Sequence, residues 1–428
     1  MQSNILLVFL QPMISFERFV LSNGLKVLVH EDNTTPMAVV DVIYDVGARD
    51  EDPNHTGFAH LFEHLMFGGS VNIPIYDEPL QRAGGENNAF TTNDLTNYYC
   101  QLPVENIETA FWLESDRMLS LAFNAKSLEV QRKVVCEEFK EHYINKPYGD
   151  VWHKLRTMAY KHHPYRWMTI GDKLEHIEKA TLEEVKSFFQ RYYHPANAVL
   201  VVAGNITVSR VRELAEKWFG EIKPGTPTAH NYEQEPEQTE ARQMTVEASV
   251  PFDALYKCWH ICSRTDAKYY ATDLLTDILG GGSSSRLYQA LVKEQHLFSS
   301  ISCYHLGASD AGLLTIEGKL IKGVDIKKAE LALNEQLQRF KQKGVTNEEL
   351  EKVKNKTESA MAFEDISLMN RASSLAMYEI IGDANMMNTD LEKYREVTTQ
   401  EILELSNEIF REQNSNTLYY LAKNKVKE

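Results

Sequence analysis

His60-Leu61-Phe62-Glu63-His64 is the stretch on which the reading of this 428-residue chain turns. A helix advances about 100° per residue, so side chains four apart nearly eclipse and a third falls beside them. On a helix, His60, Glu63 and His64 therefore share one face. Two imidazoles on such a face can hold a divalent metal, and the carboxylate beside them can take a proton from water that the metal activates. That is hydrolytic machinery. H-x-x-E-H arises by chance about 0.04 times in a chain of this length and composition. The competing reading is a helix that carries two surface histidines and nothing more.

The flanks supply the helix. Phe19-Val-Leu and Leu25-Lys-Val-Leu-Val29 surround Ser22-Asn23-Gly24, a hairpin signal, and Met37 to Tyr44 reads as a third strand. From there the chain passes through a polar loop into a helix over Gly57 to Phe67, stopped by Gly68-Gly69. Downstream, Gly84-Gly85 precedes a polar extended segment, Glu86 to Thr92, and then a strand over Leu95 to Leu102. Paired glycines ahead of such a segment suggest an edge that another backbone can approach, and a sheet edge can accept a peptide by strand addition. A helix spans Val104 to Leu119, and another runs from about Ser127, its expected N-cap, to Asn145. It carries Glu137, Glu138 and Glu141, any of which could supply the third protein ligand that a catalytic zinc site requires.

Composition bounds the rest. The chain is long enough for two or three domains, and its 43% apolar and 25% charged residues are ordinary for a globular protein. The net charge is −16, with no basic stripe, which argues against nucleic acid and leaves basic or unfolded peptides as partners. Five cysteines, odd in number and set in apolar patterns, read as free thiols in a reducing compartment, the cytoplasm. The apolar run Met1 to Leu10 lacks the basic start and small-residue site of a signal peptide, and no run approaches the ~18 residues of a membrane span.

A stretch from Lys223 to Glu240, proline-containing and almost without apolar residues, marks a linker. It separates a first domain at 16–223 from a second at 241–428, with 224–240 between them. The second half repeats the first. Strand Leu255 to Cys262 leads into Ala271 to Ser283, which keeps the apolar rhythm and closing glycines of Ala59 to Ser70 but places Asp273, Thr276 and Asp277 where His60, Glu63 and His64 stand. Asn197 to Ala203 likewise matches Asn416 to Ala422. An internal duplication with one metal helix lost accounts for this pattern.

The H-x-x-E-H motif, a glutamate on a later helix and the duplicated chain resemble the inverzincin family of pitrilysin, insulin-degrading enzyme and mitochondrial processing peptidase. The likeness runs from Phe16 onward and includes Asn23-Gly24-Leu25, Gly84-Gly85 through Thr91, Arg132 to Glu138, His163-Pro164-Tyr165 and Tyr193 to Gly204. It implies an α+β fold of two homologous domains, each an antiparallel sheet with helices packed on one face, together forming half of a clam-shaped chamber. It implies one Zn²⁺ per chain on His60, His64 and Glu138, with Glu63 as general base and Asn88, Ala89 and Thr91 on the strand that takes the substrate backbone. It also implies a zinc-dependent endopeptidase acting on unfolded peptides.

Two positions depart from the family pattern. Gln131 stands where a supporting Glu is usual, and an amide carries no charge to raise ligand basicity. Val292 and Ser299 stand where active relatives carry an Arg and a Tyr that grip the scissile carbonyl. Arg286 and Tyr288 are near, but their spacing does not fit, and Arg286 is expected to cap or pack the start of its helix. A homologous subunit without the zinc motif, paired with this chain in a heterodimer, is the expected source of the Arg/Tyr pair. The alternative is a non-peptidase assembly or peptide-binding subunit of the same fold.

Overall fold

Two sheets organise the chain in a computed structural model that describes residues 13–227 and 229–423. The first half contains β1 (Glu17–Val20), β2 (Lys26–Glu31), β3 (Met37–Tyr44), α1 (Phe58–Leu65), α2 (Asp77–Arg82), β4 (Glu86–Thr91) and β5 (Thr96–Pro103). There follow α3 (Ile107–Ser120), α4 (Ala125–Phe139), α5 (Val151–Ala159), α6 (Leu174–Glu178), α7 (Leu182–Tyr192), β6 (Ala198–Gly204) and α8 (Val208–Phe219). The second half contains β7 (Arg242–Ala248), β8 (Ala254–His260), α9 (Tyr269–Gly280), β9 (Phe298–Leu306), β10 (Leu313–Leu320) and α10 (Ile326–Lys343). It closes with α11 (Asn347–Glu364), α12 (Leu368–Ile381), α13 (Met386–Glu396), α14 (Thr399–Ile409) and β11 (Ser415–Ala422).

The sheet orders are β1-β2-β6-β3-β5-β4 and β7-β11-β8-β10-β9. Apart from β1, the second is the first repeated strand for strand, the topological form of the duplication. Each sheet is antiparallel save for one pair, β2 with β6 and β7 with β11, which run parallel. The mixed register arises because β6 and β11 return at the end of a helical excursion rather than through a hairpin.

The helices do not leave the second face of either sheet bare. Every residue of β6 is buried, and so is all of β3 after Met37. A strand covered on both faces reads as a continuous apolar run, which is what Ala198-Val-Leu-Val-Val-Ala203 is. The outer cover of the first sheet is α12, whose Leu368, Ala372, Leu375 and Ala376 pack on Leu28, Val39, Ile43, Val199 and Val201. Its counterpart α5 covers the second sheet, with Val151, Leu155 and Met158 against Tyr256, Cys258, Leu418 and Tyr420. The halves thus exchange equivalent helices. Ion pairs from Arg371 to Asp32 and from Arg18 to Glu379 fix α12 at its rim.

Two local expectations change. The N-cap of α4 is Asn124, whose Oδ1 accepts from Ser127 N at 2.8 Å, so the helix starts before Ser127. Asn is among the strongest caps, and Ser127 is the N3 donor to it. The described residues between α8 and β7 form no helix or strand, but they are tied down at several points. His230 Nδ1 meets Asp50 Oδ1 at 2.6 Å, the Glu235 carboxylate accepts backbone N–H from Lys161, His162 and His163, and the Gln238 amide donates to Gln413 and Ser415 carbonyls. The apolar run Met1 to Leu10 lies outside the described residues, and among those described no helix is long and apolar enough to cross a membrane.

Candidate active site

Helix α1 is amphipathic, and its apolar side decides where its polar side points. Phe58, Leu61, Phe62 and Leu65 are buried, with the Phe62 ring stacked on Phe188 and Tyr193 at centroid distances of 5.2 and 5.0 Å. Seating that stripe in the core turns His60, Glu63 and His64 to one side. The helix begins at Gly57, with φ of 90°, where a Cβ would lie 2.6 Å from the Ile170 carbonyl oxygen. Glycine is therefore required there, both for the left-handed backbone and for the close approach.

No side chain at Gly57 can cap the helix, and Glu51 does so from upstream. Its Oε2 accepts from Gly57 N and its Oε1 from Ala59 N, each at 2.8 Å. Burial pushes the Glu51 carboxyl well up. Both oxygens nevertheless receive N–H donors at the positive end of a helix, the arrangement that suits an anion. Sequence patterns missed this residue because capping rules look at the helix start, whereas Glu51 reaches it from a preceding loop.

Helix α4 supplies the third group. His60 Nε2 and His64 Nε2 lie 3.8 and 3.4 Å from Glu138 Oε2, and the three candidate donor atoms fall within 4.8 Å of one another. The imidazole rings are 4.9 Å apart at 83°, so their Nε2 atoms converge without stacking. Glu137 and Glu141 are exposed, Glu137 pairing with Lys140. Side-chain exposures of 12% for His60, 25% for His64 and 34% for Glu138 describe a pocket open on one side. Burial holds the His60 imidazole below its usual range, and the hydrogen bond from His64 holds the Glu138 carboxyl below its own. Neutral imidazole and ionised carboxylate are the forms that bind metal. Two nitrogens and one oxygen, on rigid helices and open to one side, fit the donor set and vacant position of catalytic zinc.

Glu63 and the edge strand complete the arrangement. The Thr91 hydroxyl donates to Glu63 Oε2 at 2.7 Å, so Thr91 reaches the site through its side chain as well as lying on the strand. β4 is the edge of its sheet. The Ala89 N–H is met by the Asn88 Oδ1 at 2.9 Å. The side chain of Gln131, on α4 two turns before Glu138, has no hydrogen-bond partner among the described residues, and His60 Nδ1 is buried without one among them.

In the second half the equivalent place holds a different set. Asp273 accepts from the Tyr394 hydroxyl at 2.7 Å and faces His305 Nε2 at 3.0 Å, while Asp277 pairs with Lys356 at 2.8 Å. Carboxylates there are spent on neighbours. Val292 packs against the core, and the Ser299 hydroxyl donates to the Lys319 carbonyl at 3.1 Å. Arg286 is clamped on Glu349 through Nε and Nη2 at 2.6 and 2.7 Å, which anchors its own helical turn to the start of α11.

Residues 26–173 match the family model described as insulinase (peptidase family M16), and residues 179–357 match the one described as the peptidase M16 inactive domain. The zinc protease PqqE of Helicobacter pylori is 30% identical over 414 residues, 94% of this chain and 92% of that protein. A probable mitochondrial-processing peptidase subunit beta of Schizosaccharomyces pombe is 29% identical over 211 residues, 49% of this chain and 46% of that one. A crystal structure of a protease from Helicobacter pylori superposes with a TM-score of 0.91 at 27% identity, covering 96% of this chain and all of that one (100%).

Proposed function

Because this chain belongs to the insulinase-type M16 peptidase family, we propose that it is a zinc-dependent endopeptidase subunit that cleaves unstructured peptides. The observation that carries the reading is the convergence of His60, His64 and Glu138 within 4.8 Å beside a Glu63 oriented by Thr91. His60, His64 and Glu138 would hold the Zn²⁺, which would supply Lewis acidity for the scissile carbonyl and for the water whose proton Glu63 takes. Glu63 has one oxygen pinned by Thr91, which leaves Oε1 to accept the proton of the attacking water and return it to the departing amine. The free edge of β4, at Asn88, Ala89 and Thr91, takes the substrate backbone by strand addition once the Asn88 side chain releases the Ala89 amide.

The chain works beside a partner. Val cannot donate a hydrogen bond, and the Ser299 hydroxyl is short and already engaged, so Val292 and Ser299 offer nothing to a developing oxyanion. Arg286 is held by Glu349. A homologous non-zinc subunit in a heterodimer supplies the missing Arg and Tyr, a reading that the subunit name of the Schizosaccharomyces relative supports. The five unpaired cysteines fit a reducing compartment such as the cytoplasm.

Cleavage of an unstructured peptide by the isolated chain, with and without a purified non-zinc paralogue, tests both statements. Loss of one oxyanion donor costs roughly 10²–10³ in rate, so the mixture should exceed the isolated chain by at least about a hundredfold. Full activity from the isolated chain, unchanged by any partner, would contradict the partner reading. The absent carbonyl clamp favours one second reading, a peptide-binding or assembly subunit. That reading predicts no cleavage with any partner.

A further inference from the structure

The segment joining the two halves reaches back towards the helix that carries the metal ligands. From it, the His230 ring enters the loop between β3 and α1. Nδ1 donates to Asp50 Oδ1 at 2.6 Å and Nε2 to Asp45 Oδ2 at 3.2 Å, so each ring nitrogen meets a carboxylate. Only a protonated ring donates from both nitrogens at once. The bonds to Asp45 and to Asp50 lift the imidazole from its ordinary 6.5 to about 9. Arg49 lies on the same loop, with Nη2 3.2 Å from His230 Nε2, and it also serves Asp45 and, on the β4–β5 turn, Asp94. Three carboxylates thus face two cations. Loss of the His230 proton leaves Asp45, Asp50 and Asp94 with Arg49 alone between them.

That loop sets the start of α1. The Asp50 side chain is 3% exposed, its other oxygen accepts from Gly47 N at 3.0 Å, and its carbonyl accepts from the Tyr192 hydroxyl at 2.9 Å. The next residue is Glu51, whose two oxygens hold Gly57 N and Ala59 N at the head of the metal helix. The loop also donates from Ala48 N and Arg49 N to the Thr92 and Asn93 carbonyls, at 3.2 and 2.8 Å, directly after the Thr91 that orients Glu63. A grip on Asp50 therefore steadies the cap of α1 and the turn behind the base together. Other residues of the joining segment hold elsewhere. Tyr232 donates to Asp310 on the β9–β10 turn at 2.5 Å, and Glu235 takes backbone N–H groups after α5.

We propose that His230 is a positioning residue for the metal centre, its ring bridging Asp45 and Asp50 so that the joining segment fixes the loop from which Glu51 caps α1. This role builds on the proposed metal centre, yet the hydrogen bonds that define it need no metal. The folded value of the ring lies above the unfolded one, so its contribution is fully present below about pH 6.5 and is lost as the pH rises through about 9.

Two readouts on the full chain test the role. One is the rate at which zinc passes to the chelator pyridylazoresorcinol, and the other is amide hydrogen exchange at Gly57 and Ala59 in metal-free protein. At pH 7, His230→Gln should speed both at least about tenfold while exchange in β6 stays at the parental rate. The gap between variant and parent should narrow as the pH rises through about 9, where the parental ring loses one of its two donors. A ring that only tethers the segment would leave the gap constant. Tyr232→Phe removes the neighbouring bond to Asp310 without touching Asp45 or Asp50, and it should match the parent in both readouts. Should His230→Gln not fold, Asp45→Asn removes one arm of the bridge at its more exposed carboxylate and should show the same narrowing gap. A parent that binds no zinc refutes the metal reading and leaves hydrogen exchange to decide the role of His230. Unchanged exchange at Gly57 and Ala59 in His230→Gln, a gap independent of pH, or an equal effect of Tyr232→Phe would overturn the proposal.

Discussion

A carboxylate that must pick up and release a proton works best with one oxygen pinned and the other free, which is how Thr91 leaves Glu63. Glu63→Gln keeps the shape and the hydrogen bond but removes the basic oxygen. It should retain zinc and fold while peptide cleavage, measured with the partner present, falls by at least about 10²-fold. Near-normal turnover would move the base elsewhere. Glu51 carries a structural prediction. Glu51→Gln places an amide NH₂ against one of two helix-end N–H groups, so one buried donor loses its acceptor. That should cost roughly 2–3 kcal/mol, read as a lower unfolding midpoint, and should weaken zinc retention because the start of α1 frays. An unchanged midpoint would remove Glu51 from the account. His60, Glu63 and His64 could be aligned from helical spacing alone, whereas Glu138 was singled out from Glu137 and Glu141 only through the family resemblance, because helical spacing does not say which carboxylate of a second helix faces the first. Glu51 was not legible in the sequence, since its bond to α1 spans a loop whose path no local rule gives.

Between elements, the most informative contact is α12 against the first sheet. Asp41 on β3 is buried there, accepting from Asn97 at 3.1 Å and from the Ser373 hydroxyl of α12 at 2.7 Å. Burial lifts its carboxyl from 3.8 to about 7. The folded value thus lies above the unfolded one, so the contribution of Asp41 is fully present below about pH 4 and is lost as the pH rises towards 7. Asp41→Asn, neutral throughout, should raise the melting temperature at pH 8 by several degrees and much less at pH 5. Identical pH profiles for parent and variant would contradict this. The apolar stripe of α12 could be read from spacing, but not the sheet it covers, because periodicity identifies a buried face and is silent about the partner. The same limit hid the reciprocal placement of α5 and the anchoring of the 224–240 segment, whose composition is that of a free linker.

At the scale of the molecule, exchange of α5 and α12 makes the halves interdependent. Residues 16–223 alone would expose Leu28, Val39, Ile43, Val199 and Val201, a face that α12 covers in the intact chain. That fragment should sediment as aggregate when expressed alone and become soluble when co-expressed with 241–428. Solubility of the lone fragment would show that α12 is dispensable. Duplication has also left the halves chemically unequal, with imidazoles converging in the first and Asp273 and Asp277 bound to His305, Tyr394 and Lys356 in the second. The account therefore requires metal in one half only. Elemental analysis of protein purified without added zinc measures this directly. The account predicts about one zinc per chain in the parent and in Glu63→Gln, and none in His64→Ala. Zinc that stays at the parental level in His64→Ala would contradict it.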